Sequence, residues 1–128
     1  MFASGAKTTQ GMTFVDRGDP AGYDWVVGSL TTNGTWHDLD CSSIVPVGAK
    51  AILFQATIKD DLEGQALYLR KNGNSNSANT SKIETQVGNL NNTANLISFC
   101  DSDRKIEYQA ANTTWSVINI VIKGWWVQ

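Results

Sequence analysis

The sequence predicts an all-β domain, eight or nine short antiparallel strands closed into a sandwich or barrel. Three observations carry that prediction. Apolar and polar residues alternate with period two in short runs. Turn signals built from Gly, Pro, Asn and Asp separate those runs at short intervals. No segment keeps a helical period; the best candidate, Ile83–Ile97, is interrupted by Gly88 and several Asn.

Size and composition fit one domain. A chain of 128 residues buries roughly two-thirds of its unfolded surface and folds without staples. Charged residues make up 17% of it, below the usual quarter, so the loops owe their polarity to Asn, Ser and Thr.

Residues 1–22 hold Gly, Ala, Thr and Ser without a sustained period and end at Gly18-Asp19-Pro20. They read as an extended arm that lies against a neighbour, because alone it buries too little to offset its ordering entropy. The sandwich domain is expected over 23–128. Tyr23–Leu30 and Trp36–Cys41 flank Thr31-Thr32-Asn33-Gly34, and Asn-Gly is a strong hairpin signal. Ile44-Val45-Pro46-Val47-Gly48 reads as a turn, since Pro and Gly do not both sit inside a central strand.

Lys50–Lys59 is the clearest strand, with Ile52, Phe54, Ala56 and Ile58 on one face. After the turn Asp60–Gly64, Gln65–Lys71 places Leu67 and Leu69 on one side. Asn72–Ser81 is a polar loop, Ser81–Val87 a strand, and Gly88–Asn95 a second Asn-rich loop. Leu96–Cys100, Lys105–Ala110 and Trp115–Val127 complete the set.

The last strand is the most informative. Ile118, Ile120 and Ile122 form a core face, while alternation puts Val117, Val121 and Trp125 on the other face. A strand apolar on both sides is central in a sandwich or covered by another subunit. Val117, Val121 and Trp125 are therefore the expected oligomer interface. Trp125 and Trp126 point to opposite faces, so one of them needs a cover outside the core.

Several function classes lose support. Ten basic and twelve acidic residues nearly cancel, and no basic stripe suited to nucleic acid is visible. No apolar run approaches the roughly eighteen residues of a membrane-spanning helix. Met1–Thr13 lacks a signal peptide's basic start and apolar stretch, which predicts synthesis in the cytoplasm without export by that route. Sequons begin at Asn33, Asn79, Asn91 and Asn112 and are read as turn chemistry. Cys41 and Cys100 are read as half-buried free thiols or a single disulfide, which spacing does not decide.

Catalysis and metal binding have little to stand on. The single histidine, His37, stands beside Asp38, yet no GxSxG nucleophile motif accompanies it. Asp38/Asp40, Asp60/Asp61 and Asp101/Asp103 are close pairs able to contact a hard cation, but turn and edge roles for Asp are commoner. A carboxylate pair for glycoside hydrolysis needs a cleft that short turns do not build. No catalytic residue, metal or cofactor is expected.

Binding remains open. Five Trp, at 25, 36, 115, 125 and 126, are expected mainly in core or interface, with sugar stacking as the competing role. Asn72, Asn74, Asn76 and Asn79 in one loop, with Asn91 and Asn92 in the other, are the candidate ligand-contacting amides.

Longer stretches carry a resemblance. Asp24–Leu30, Gly34–Asp40, Ser42–Ala51, Arg70–Ser75, Asn112–Trp115 and Lys123–Trp126 together resemble small jelly-roll-like proteins and C-terminal modules of tailed phages and environmental viruses. The likeness spans about 23–127 and leaves the arm outside. It implies an antiparallel jelly roll of about eight strands in a virion component: a head-decoration, collar, fibre or tail-appendage subunit, commonly trimeric. It transfers no catalytic residue. The expected partners are further copies of the chain and other virion proteins, with the arm docking on the particle. A carbohydrate-binding module that recognises a host-surface glycan is the competing expectation.

Overall fold

The computed structural model describes residues 11–128; the remainder of the expected arm, 1–10, lies outside the described residues. The strands are β1 (Thr13–Asp16), β2 (Trp25–Val26), β3 (His37–Asp40), β4 (Ala49–Lys59), β5 (Ala66–Lys71), β6 (Ser81–Glu84), β7 (Asn92–Phe99), β8 (Lys105–Ala110) and β9 (Val117–Val127). Two single-turn 3-10 segments, Val27–Ser29 and Ser77–Asn79, are the only helical elements among the described residues.

The strands form two antiparallel sheets. One runs β1-β9-β4-β7, with β2 also on β9; the other runs β3-β8-β5-β6. β1 pairs with β9 at Gly124–Val127 and β2 pairs with it at Asn119 and Ile120, along the same edge. Counted as one interrupted strand, they reduce the sheets to the interleaved order of a jelly roll.

Period-two alternation builds the core between the sheets. Ile52, Phe54, Ala56 and Ile58 of β4 meet Ile118, Ile120 and Ile122 of β9 on one wall, opposite Leu67, Leu69 and Ile106. All are fully buried. At roughly 1.5–3 kcal/mol for each large apolar side chain, this double row is the main stabilising term. Trp25, Trp115 and Trp125 seal its margins, and the Trp115 indole N–H donates to the Ala111 carbonyl at 2.9 Å.

Four local expectations change. Asn33-Gly34 does make a tight turn, with Gly34 at φ +77°, but it joins no hairpin: β2 pairs with β9 and β3 with β8. The positive φ that favours Gly is the same whether a chain reverses within a sheet or crosses between two. Tyr23–Leu30 contains only a two-residue strand before it coils. Asn92–Asn95, expected in a loop, starts β7; Thr93 and Asn95 face outward, where polar side chains cost nothing. Thr13–Asp16, read as part of an arm against a neighbour, lies on the chain's own β9.

Candidate functional site

The outer face of the β1-β9-β4-β7 sheet is arranged by two bulges. Register shifts between β4 and β9 leave Lys50 and Lys123 as extra residues. Each extra residue reverses the inward–outward parity beyond it. Along β9, Ile118, Ile120 and Ile122 point inward, and past Lys123 the inward residues become Trp125 and Val127.

Trp125 therefore belongs to the core wall, opposite Ile52, and leaves the predicted interface row. Trp126 takes the outward place, its ring 4.9 Å from that of Phe14. Val121 does face outward, yet only 8% of it is exposed. Its cover is the chain itself: Gly18–Tyr23 lines a shallow hollow with Val121, Gln55 and Lys123. Val117 is half-buried at the far end.

The outer face itself is built from a different set of residues. Reading across β7, β4, β9 and β1, the register lines up Phe99, Ala51, Trp126 and Phe14, then Ile97, Leu53, Gly124 and Asp16. Phe99 is 54%, Ile97 48% and Phe14 41% exposed, and Ala51 is buried beneath its neighbours. Below them come Asn95, Gln55 and Val121, then Thr93, Thr57 and Asn119 with Val26 on β2. The Thr57 and Thr93 hydroxyls lie 2.7 Å apart.

The outward positions of β7 and the middle of β4 and β9 are uncharged; the charges on this face are Asp16 of β1, opposite Gly124, the bulge residues Lys50 and Lys123, and Lys59 at the strand end. The outer face of the second sheet is the reverse. It presents Asp38, Asp40, Lys105, Glu107, Arg70, Lys82 and Glu84. Arg70 there pairs with Glu107 at 2.7 Å and stacks over Trp36 at 3.8 Å.

The other predicted residues scatter. None of the five Trp is exposed, and one face of the Trp36 indole is taken by Arg70, which removes the ready sugar platform. Asn72 is committed to the Asp101 carboxylate at 2.9 Å and Asn92 to the Glu84 carbonyl at 2.7 Å. Asn74 and Asn79 do line one open groove, of about 470 Å³, walled by Ile97, Ser98 and Phe99. Asn76 precedes the 3-10 turn and is exposed, as is Asn91. Asn91 and Asn92 stand at the opposite end of β7 from Phe99, roughly 23 Å away along an extended strand, so the six amides form no single site.

Chemistry-bearing groups are held in structural roles. His37 bonds Asn33 at 2.8 Å and Thr35 at 3.1 Å. Asp40 accepts the Ser42 N–H, and hydrogen bonding from the Ser42 side chain, then from that N–H, holds its carboxyl below the ordinary value. Burial pushes the Asp101 carboxyl up, but Asn72 and the backbone N–H groups of Lys105 and Asp103 outweigh it and hold the group low. Asp60 is buried and accepts the Leu62 N–H. Among the described residues no three His, Cys, Asp or Glu side chains gather as metal ligands. Cys41 and Cys100 are free and both buried, Cys41 fully and Cys100 at the rim of a surface hollow; burial raises both thiols.

Sequence reasoning missed Phe14, Leu53, Ile97 and Phe99. For Ile97 and Phe99, period-two patterning in NTANLISF was the available signal, hidden by assigning its first half to a loop. No protein-family model matches the chain, and no curated protein matches it.

Proposed function

We propose that the protein is a non-enzymatic structural subunit of a phage or related virion, working as a homo-oligomer. The assembly face is the outer side of the β1-β9-β4-β7 sheet. The observation that carries this is the contrast between two outer faces of one sandwich: one dense in charge, the other with its few charges at bulges, strand ends and β1, and apolar at one end. A face kept in water gains from charge. A face kept against protein loses by it, because each unpaired ion costs desolvation.

The virion setting and the expected trimer come from the resemblance of 23–127; head decoration and tail or fibre appendage are the two placements it implies. The interface differs from the one expected. Val121 and Trp125 are covered within the chain, and Phe14, Ile97, Phe99 and Trp126 take their place, with Val117 marginal. Light scattering at micromolar concentration tests the reading: a multiple of the chain mass is expected, and dissociation on Phe99→Asp with fold retained. A strictly monomeric protein overturns it.

One observation favours the second reading, a glycan-contacting appendage. The Asn74/Asn79 groove sets two amides beside an exposed Phe99 ring, the combination that serves a sugar's hydroxyls and its apolar face. Glycan-array binding lost on Asn79→Ala favours it, and silence across the array counts against it.

A further inference from the structure

We infer that the Asn74/Asn79 groove takes an acidic sugar, with Lys71 receiving its carboxylate. The inference rests on the glycan reading above and names the class of sugar within it.

The groove opens at the margin between the two sheets, where β5 and the loop after it pass the end of β7. Its volume of about 470 Å³ falls within the range of small-ligand sites, roughly 300–1,000 Å³. Arg70 and Lys71 line it and no carboxylate does, although the chain as a whole carries a net charge of -2.

The two cations are not equivalent. Arg70 is occupied: its Nε donates to Glu107 and its guanidinium lies on Trp36. Lys71 stands opposite Ile106 in the register and so keeps the inward parity of Leu67 and Leu69. Because it ends β5, that parity brings it to the margin, where it lines this groove and a neighbouring hollow of about 500 Å³. Among the described residues no ion pair holds it. The carboxylate of that hollow, Asp101, already accepts from the Asn72 amide and from the Asp103 and Lys105 N–H groups.

The neutral polar groups divide the same way. The hydroxyls of Thr80, Ser81 and Ser98 donate to the carbonyls of Ser77, Ile97 and Phe99. Asn74 and Asn79 bond through their backbone N–H groups alone, to the Lys71 and Asn76 carbonyls. The groove therefore offers a ligand one ammonium, two side-chain amides and the exposed ring of Phe99.

A pyranose bearing a carboxylate fits that set. Its hydroxyls pair with amides that both donate and accept, and its C–H face lies on the ring. Its carboxylate makes a charge-assisted bond to the ammonium. A neutral sugar in the same place covers the ammonium without replacing the hydration it loses. One unpaired cation suits a single carboxylate; a nucleic-acid strand needs a basic stripe, which the groove lacks.

The test is a glycan array of sialylated and uronic-acid oligosaccharides, each beside its carboxyl-reduced neutral counterpart, followed by calorimetry on the strongest binder. The full chain is compared with Lys71→Gln, Asn79→Ala and Lys59→Gln, and circular dichroism confirms that each variant keeps its fold. Lys59→Gln makes the same charge change at the far end of β4 from Ala51, the partner of Phe99.

The acidic members should bind at least about tenfold more tightly than their neutral counterparts, and Lys71→Gln should remove that advantage while Lys59→Gln keeps it. Equal binding of acidic and neutral members overturns the inference, and its loss on Asn79→Ala would leave the glycan reading standing. Acidic binding that survives Lys71→Gln, or that Lys59→Gln weakens equally, also overturns the inference, since the charge is then read elsewhere. Silence across the array overturns the glycan reading itself.

Discussion

Arg17 and Asp24 together occupy the gap between β1 and β2 along β9. Their side chains form a two-point ion pair at 2.6 and 3.0 Å. Asp24 also accepts the Ile122 N–H at 2.8 Å, and Arg17 donates to the Ile122 carbonyl at 3.0 Å. No strand residue faces Ile122 on that side, so the ion pair satisfies both backbone groups that an edge strand would have met.

Asp24→Ala should therefore cost far more than a surface ion pair. It leaves a partly buried guanidinium and an amide N–H without their acceptor, which predicts a loss of about 3 kcal/mol. Urea unfolding measures it. A double-mutant cycle with Arg17→Ala should show strong coupling; simple additivity would mean the two act separately.

Gly124 lies beneath the Phe14 ring. A Cβ at that position would collide with the ring and with the Val15 carbonyl. Gly124→Ala is expected to destabilise by about 1–3 kcal/mol and to raise hydrogen exchange in Thr13–Asp16, because β1 must lift to admit the methyl. Pairing Gly124→Ala with Phe14→Ala should relieve the ring clash and leave the carbonyl clash.

Both thiols should be chemically quiet in the folded protein. Burial raises Cys41 and Cys100, so little reactive thiolate is present at neutral pH. A thiol-reactive disulfide reagent should titrate close to no groups natively and two in guanidinium. Fast native labelling at either position would contradict their burial.

Asp101 should contribute to acid sensitivity. Its folded value lies below the ordinary one, so its contribution is fully present above the unfolded value near 3.8 and is lost as pH falls through the lower folded value. Asp101→Asn should flatten the stability curve below about pH 4 and lower stability at neutral pH. Asn72→Ala should do the same more weakly, since it removes one of three donors to the carboxylate.

The core was legible because it depends on period alone. Ile52, Phe54, Ala56 and Ile58 alternate without interruption, and only a pleated strand puts them on one face. The assembly face was only partly legible. Val117, Val121 and Trp125 share a parity in the sequence, but one inserted residue at Lys123 turns Trp125 inward and Trp126 outward. Nothing in Ile122-Lys123-Gly124 reads as a bulge, because a bulge is a mismatch between two strands and not a property of either.

The amino-acid sequence by itself determined the all-β class, the inward residues of the central strands and the scarcity of charge, all of them local or additive. Tertiary structure alone decided which strands are neighbours, that Gly18–Tyr23 covers Val121, and that Phe14, Ile97 and Phe99 gather at one end of one sheet face. Those depend on register between segments up to about a hundred residues apart, where a shift of one position exchanges inside for outside.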